Sequence, residues 1–385
     1  MFNSQEFNEK YRLNSDQVKL LKRVDVHSET HQMTGKIVVL WKDTIKKFFK
    51  SPISLLSTIL LIIILLIAIF TALLSPYSTS KPISNADTSL VFEQLPSGYG
   101  IIHTNISSDL LAKIREIENT KHVQLIYGST SEIFPTRWSV NINPYQIMSV
   151  LDGGKKFISI VGTDQFGRDI WLRTWIGTLN ALGIAVAIAL IQFVIGVILG
   201  TYLGFYIGTW IDNIVLRIID IFGSIPWIVI FIIFIAIWGP YTATIVLLLS
   251  LTGWTGPTYQ ARLYTVIVKD EEYIYAAKVI GASKIRQIYF HILPNILGKL
   301  LSTFVGSIFS SISTIASLAF LGFLREQVDS SANLGLIINS AVSLAERNVW
   351  ALLFPASILV VLAVTSRFIA NGIHDALDPR VGGRR

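Results

Sequence analysis

The chain has 385 residues, of which 52% are hydrophobic and only 15% are charged, with a formal net charge of +7. A soluble domain carries roughly 25% charged residues, so much of this surface must face something other than water. The basic residues stand beside apolar segments, which indicates membrane-flanking charge rather than a nucleic-acid surface, and the absence of cysteine excludes disulfides, cysteine-ligated metals and a thiol nucleophile.

The first 52 residues are polar and basic and show no cleavable signal peptide, so we expect a cytoplasmic N-terminal segment. A membrane span needs about 20 predominantly apolar residues. Six segments of the chain satisfy this requirement, which predicts an all-α integral membrane protein. They are residues 53–74, 178–206, 214–238, 242–259, 300–323 and 350–369.

A long polar insertion, residues 75–157, separates the first two predicted spans. Residues 109–118 have helical character, and residues 123–127 are rich in the residue types that form strands. The insertion is therefore expected to be either a small α+β domain or a partly ordered loop.

Lys and Arg near the span ends predict the orientation. They collect before the first span, between the fourth and fifth, and after the sixth, whereas the connection between the fifth and sixth has few. Because an even number of spans puts both termini on one side, both termini and the loop 270–298 are expected to be cytoplasmic. The insertion is then extracytoplasmic.

Within that loop, residues 271–295 predict a short helical bend, which we call the elbow. Residues 271–280 favour helix, and Gly281 permits a backbone turn that other residues resist. Ser283 can cap a second helix by accepting from the amide of Arg286 or Gln287, and Pro294 ends the segment before the fifth span. An ordinary amphipathic loop is the alternative.

The elbow resembles the coupling motif of bacterial importer permeases of the ATP-binding cassette (ABC) class. Their pattern is Glu-Ala-Ala, three residues, Gly, nine residues, a hydrophobic residue, any residue and Leu-Pro. Ala276, Ala277, Gly281, Leu293 and Pro294 match it in register. Tyr275 stands where the family has Glu. The resemblance implies that the residues contacting the ATPase are Glu271, Glu272, Tyr275, Ala276, Ala277, Gly281, Ala282, Ser283, His291, Leu293 and Pro294.

Further matches place the resemblance in the oligopeptide, dipeptide and nickel branch. Residues 162–169 resemble the segment before its second span, and residues 374–380 resemble the tail of its C-type subunit. Arg217, Asp220 and Pro226 match its third span. The likeness covers residues 40–75 and 158–382, whereas residues 76–157 and 325–329 depart from the pattern.

This resemblance implies a type I ABC importer permease with six transmembrane helices and a permease core over residues 158–382. The implied function is oligopeptide import, with nickel or another small solute as an alternative. The implied partners are a second homologous permease subunit, two ABC ATPase subunits, the lipid bilayer of a bacterial plasma membrane, and an extracytoplasmic peptide-binding lipoprotein. Separately from the resemblance, the size and position of the insertion suggest the hypothesis that it helps to dock that lipoprotein.

The chain is not expected to be an enzyme or to hold a cofactor or metal. It has no Gly-x-x-x-x-Gly-Lys-Ser/Thr phosphate loop, so ATP and Mg²⁺ would be bound by the partner ATPases. Its histidines do not pair at metal-ligand spacing. A secondary transporter that works without ATP would be expected to show buried carboxylates and internal repeats, and the sequence shows neither.

Polar residues inside predicted spans are the remaining candidates, because they are costly there. One polar face of the fifth span can line a transport path or permit close helix packing. Its residues are Ser307, Ser310, Ser311, Ser313, Thr314 and Ser317, and Gln192, Thr252 and Trp254 are weaker candidates.

Two charged groups lie near span ends. Arg217 and Asp220 can pair on one helix face, either as part of a gate or as a structural ion pair, and Pro226 should kink the same span. Asp164, Arg168 and Asp169 precede the second span, where they can shape an outer mouth or cap the helix start.

Overall fold

The computed structural model describes residues 40–84, 95, 97, 98, 100–134, 136–323, 332–346 and 348–377. The chain divides into two compact units, Met1–Lys46 and Lys47–Arg385. Most of the predicted cytoplasmic N-terminal segment, residues 325–329 and the end of the tail motif lie outside the described residues. The fold described below is that of the second unit, with the helix that leads into it.

The described elements are mostly helical. In chain order they are α1 (Leu40–Lys50), α2 (Pro52–Leu74), β1 (Ile102–Ser107), α3 (Ser108–Lys121), β2 (Ser131–Phe134), β3 (Arg137–Ile142), α4 (Pro144–Leu151), α5 (Ile170–Phe205), α6 (Trp210–Ser224), α7 (Trp227–Trp238), α8 (Thr242–Gly253), α9 (Thr255–Val268), α10 (Glu272–Val279), α11 (Lys284–Arg286), a π-helical turn (Gln287–Ile292), α12 (Leu293–Phe320), α13 (Leu334–Val342) and α14 (Val349–Leu377).

Four uninterrupted helices of the described chain are long and apolar enough to cross a membrane. They are Pro52–Leu74, Ile170–Phe205, Lys284–Phe320 and Val349–Leu377, and they contain or closely match the first, second, fifth and sixth predicted spans. The α6–α7 pair, bent by 81°, gives a fifth if it is counted as one span.

The third and fourth predicted spans are both interrupted. The third breaks between Ser224 and Trp227, at Pro226, as expected from a residue without an amide donor. The fourth divides at Trp254 into α8 and α9, of 12 and 14 residues. Each of these two is shorter than a span requires, so the described residues give four or five such helices where the sequence predicted six.

The insertion contains a three-stranded antiparallel sheet in the order β1-β3-β2. The helix predicted at 109–118 lies within α3, and the Ser107 hydroxyl accepts from the Leu110 amide at its start. Ile114 of α3 packs with Val140 and Ile142 of β3 in a buried apolar cluster.

The strand predicted at residues 123–127 is wrong. Only Ile126 forms an isolated bridge, to Ile142. The Glu118 carboxylate accepts from the backbone amides of Leu125 and Ile126 at 2.6 and 2.7 Å. These two amides are therefore bonded to a side chain of α3 and do not donate to a neighbouring strand. The sheet forms instead from segments whose pattern the sequence reasoning did not single out.

In the bundle, α5 packs closely against α9 through three glycines at four-residue spacing, Gly196, Gly200 and Gly204. A Cβ added at Gly200 would lie 2.2 Å from the backbone oxygen of Thr258, and one at Gly204 would lie 2.6 Å from that of Arg262. Only glycine allows two helix backbones to approach this closely. The spacing was visible in the sequence and was missed.

Candidate coupling elbow and transport cleft

The first half of the elbow has the predicted form. The α10 helix is followed by Gly281, whose φ of +89° lies in the left-handed region that glycine tolerates best. The Ser283 hydroxyl then accepts from the Arg286 amide at 3.4 Å and caps the next turn. The glycine turn thus redirects the chain between two short helices.

The second half of the elbow runs without a break into a membrane helix. Residues Lys284–Phe320 are continuous through the π-helical turn, where the Leu293 amide donates to the oxygen of Ile288. Pro294 follows the π-helical turn within this continuous helix, and it has no amide hydrogen to donate. A displacement of the elbow therefore moves α12 directly.

Buried apolar contacts fix the elbow to the bundle. Ile274 and Ile292 belong to one buried cluster with Val197 of α5 and Ala261 of α9. The Tyr289 hydroxyl donates to the Ile198 oxygen at 3.3 Å. Two further bonds close the elbow on itself, from Asn295 Nδ2 to the Tyr273 hydroxyl at 2.6 Å and from Gln287 Nε2 to the Ala282 oxygen at 2.7 Å.

The rest of the elbow exposes large apolar side chains among charged ones. Val279, Ile280 and Phe290 are 86%, 87% and 73% exposed. Tyr275 and Ile285 are also exposed. Exposed apolar surface of this kind is typical of a contact with another protein or with the membrane.

The predicted contact residues divide between exposed and covered positions. Glu271, Glu272, Tyr275, Ala276, Gly281, Ser283 and Pro294 are exposed, whereas Ala282, His291 and Leu293 are half-buried. Ala277 was expected to let a partner approach, but it is buried. Two neighbouring helical residues point in different directions, so the two alanines of the motif cannot both face a partner.

A cleft of about 540 Å³, which we call the transport cleft, lies where α5, α8, α9 and α12 meet. The predicted polar face of α12 contributes Ser307, Ser310, Ser311 and Thr314. Of the remaining candidates, Gln192 and Thr252 also line the cleft, while Ser317 does not and Trp254 lines a separate apolar groove.

Two of the four hydroxyls that line the cleft donate to carbonyls of their own helix. Ser307 Oγ donates to the Thr303 oxygen at 3.0 Å, and Thr314 Oγ1 donates to the Ser310 oxygen at 2.8 Å. These two donors are therefore satisfied one turn back, without a ligand. Each hydroxyl oxygen keeps lone pairs with which to accept from a passing N–H group.

The charged residues before α5 form a buried structural cluster. Asp164 contacts Arg168 at 2.8 Å and Arg173 at 3.5 Å. The Asp169 carboxylate caps α5 by accepting from the Leu172 amide at 2.9 Å, and burial raises the pKa of its carboxyl group. Gly162 and Gly167 have φ of +96° and +71°, as their expected backbone freedom requires. This geometry fits a helix start rather than a mouth.

The expected pair of Arg217 and Asp220 does not form. Both side chains are exposed, and no ion pair joins them in this fully described helix. An ion pair that the sequence did not predict joins Asp212 to Arg262. The Nε and Nη2 atoms of Arg262 donate to the two carboxylate oxygens at 2.7 and 2.8 Å. The pair ties the start of α6 to α9, and an arginine in an otherwise uncharged helix was the available signal.

Two family models match the chain. The description "Binding-protein-dependent transport system inner membrane component" applies to residues 193–383, and "N-terminal TM domain of oligopeptide transport permease C" applies to residues 40–95. A chain of the methionine ABC transporter MetNI, solved in inward-facing conformations, is similar at a TM-score of 0.41 with 18% identity, over 52% of this chain and 94% of that chain.

Curated relatives agree with these models. The oligopeptide transport system permease protein OppC of Mycoplasma pneumoniae is 34% identical over 94% of this chain and 96% of its own length, and that of Mycoplasma genitalium is 35% identical over the same shares. The dipeptide permease DppC of Bacillus subtilis is 34% identical over 57% of this chain and 68% of its own length. The chain therefore belongs to the OppC-type permease family, the inner membrane components of binding-protein-dependent transport systems.

Proposed function

We propose that this chain is the C-type permease subunit of an ATP-driven ABC importer for oligopeptides. One observation carries the proposal: the second half of the elbow and the polar face of the transport cleft belong to one continuous helix, Lys284–Phe320. Closure of ATPase subunits against the exposed side of the elbow would shift that helix and change the cleft. The names of the curated relatives favour oligopeptides as the solute.

The partners follow from the same proposal. A second homologous permease subunit completes the path, two ABC ATPase subunits bind ATP and Mg²⁺, and an extracytoplasmic peptide-binding protein delivers the solute. The insertion is proposed to help dock that protein. The near-complete alignment with the Mycoplasma relatives supports a shared role, because the unaligned share of the chain is much smaller than the insertion.

Six spans and a bacterial plasma membrane with both termini cytoplasmic complete the proposal. Trp254 has helical dihedrals, φ −66° and ψ −20°, so α8 and α9 follow one another with a minimal break and supply a crossing together. The bent α6–α7 pair supplies another. Six crossings would place the elbow on the same side as the basic segment that precedes α2, consistent with the positive-inside rule.

A permease for nickel or another small solute is the alternative within the family. The transport cleft favours peptide, because its lining offers hydroxyl and amide groups that suit peptide hydrogen bonding. An ATP-independent secondary transporter is less well supported, since the chain has an exposed apolar elbow that such a protein does not require.

The test is ATP-driven uptake of a labelled oligopeptide by the reconstituted complex, with ATP hydrolysis measured in parallel. Gly281→Pro removes the left-handed turn, because proline fixes φ near −65°, and Ala277→Arg forces a charge into the buried contact of α10. Both variants should assemble and hydrolyse ATP but lose most uptake.

The matched control is Gly223→Ala, since a Cβ at Gly223 meets nothing within 4 Å, and it should transport normally. Wild-type uptake by both elbow variants would contradict the coupling role. Uptake by the permease without its ATPases would contradict the class of transporter.

A further inference from the structure

A second cleft, of about 460 Å³, opens between α9, α12 and α14. It shares Gln260, Thr303, Ser307 and Ser310 with the transport cleft, so the two clefts adjoin along α12. We call this second region the α14 cleft. Ser307 and Ser310 were predicted path residues, whereas the lining residues contributed by α14 were not among the predicted site residues.

The α14 side of this cleft is one face of a membrane helix. Arg367, Ala370, Asn371 and His374 all line it, at positions i, i+3, i+4 and i+7. An arginine that only anchors a helix end extends along the lipid-facing side toward the headgroups. Arg367 instead faces a polar space between helices, ten residues before the end of α14 at Leu377.

The charge in the two clefts is unbalanced. No Asp or Glu is among the described residues that line either cleft, and no ion pair involves Arg367 within the described chain. His374 has the Asp375 carboxylate 3.7 Å from its Nδ1 atom, but Asp375 does not line the cleft. Arg367 is exposed and lies near the end of the sixth predicted span, and a charged side chain that faces a cavity in a membrane protein is a candidate for a functional role.

We propose that Arg367 is a specificity-determining residue that binds a carboxylate of the transported peptide. A guanidinium binds a planar carboxylate through two parallel hydrogen bonds, and the neighbouring Gln260 and Asn371 amides can bond to peptide groups. The carboxylate is either the C-terminus of the peptide or an acidic side chain. This inference rests on the proposed oligopeptide function, and it names a part of the solute and the residue that recognises it.

The test uses the assembled transporter and three peptides: trialanine with a free C-terminus, trialanine amide, and Ala-Glu-Ala amide. Uptake by Arg367→Gln is divided by wild-type uptake for each peptide, which cancels any preference of the binding protein. The ratio for free trialanine should fall about tenfold, the size of a charge-assisted hydrogen bond to a partly solvated group, while the ratio for trialanine amide stays near one.

The third peptide separates the two sources of the carboxylate. If the ratio for Ala-Glu-Ala amide also falls, any carboxylate is bound; if it stays near one, the C-terminus alone is recognised. Arg367→Lys, which keeps the charge but loses the two-point geometry, should recover part of the uptake of free trialanine. Lys50→Gln removes an exposed basic residue at the end of α1 and should leave all three ratios near one.

Equal loss for all three peptides in Arg367→Gln would show a structural role and overturn the inference, as would no loss for any of them. Failure of the oligopeptide function itself gives a different result, because the wild-type complex would then take up none of the three peptides under ATP, and the inference would fall with it.

Discussion

Substitution of Gly200 by alanine tests the close contact between the α5 and α9 backbones. The added Cβ would lie 2.2 Å from the backbone oxygen of Thr258 and 2.8 Å from the Cβ of Ala261. Since real Cβ atoms essentially never come within 3.0 Å of another heavy atom, α5 and α9 must separate by close to 1 Å at this point. Forced overpacking of this kind costs about 1–3 kcal/mol.

The separation would not stay local. Gly196 and Gly204 hold the same interface one turn to either side, with Cβ positions 2.6 Å from atoms of α9. The buried cluster that anchors the elbow includes Val197 and Ala261, which lie at this interface. Gly200→Ala should therefore lower both the stability of the bundle and the coupling of ATP hydrolysis to uptake.

The assay is the free energy of unfolding of the purified protein, from a titration of sodium dodecyl sulfate into mild-detergent micelles. Gly183→Ala is the matched control, because Gly183 lies on the same helix and a Cβ there meets nothing within 4 Å. It should be neutral or slightly stabilising, since alanine favours helix over glycine by roughly 1 kcal/mol. Equal stability of the two variants would refute the close α5–α9 contact.

Two further predictions concern charges. Asp212→Asn should destabilise the protein by about 3 kcal/mol, because Asp212 is 1% exposed and its loss leaves Arg262 without its carboxylate. Asp220→Asn, at an exposed site, should change the free energy of unfolding by about 0.5 kcal/mol or less. Equal losses of stability in the two variants would contradict the role of the Asp212–Arg262 pair. Burial raises the pKa of Asp169 above its ordinary 3.8, so the folded protein binds this proton more tightly than the unfolded chain does. The protonated carboxyl group therefore contributes stability that is lost as the pH rises from 3.8 through the folded-state pKa. The stability of the wild type relative to Asp169→Asn, which keeps a capping side chain, should therefore fall over that range, and a rise would show that the carboxylate is stabilised instead.

The local features of the elbow and of the α6–α7 break could be predicted from the sequence because they depend on neighbouring residues. The φ of Gly281, the cap at Ser283 and the break at Pro226 each follow from the chemistry of one residue and its near neighbours. The long apolar helices were predictable for the same reason, since length and hydropathy are local properties.

Contacts between distant segments could not be predicted in this way. Arg217 and Asp220 have helical spacing for a pair, yet the ion pair that forms joins Asp212 to Arg262, 50 residues away. The strand predicted at 123–127 failed because Glu118 reaches its amides from α3. Likewise, Arg367 lines the α14 cleft only because α14 packs against α12, and no local sequence pattern predicts that contact.

The central claim is that the elbow transmits ATPase movement to the wall of the transport cleft. The chain has no cysteine, so Gln260→Cys on α9 and Ser310→Cys on α12 give two unique sites for spin labels when the partner subunits are also cysteine-free. In the assembled complex, ATP should change the distance distribution between these labels, and Gly281→Pro should abolish that change. The same ATP-dependent change in the Gly281→Pro complex, or no change in the complex with an unaltered elbow, would contradict the claim.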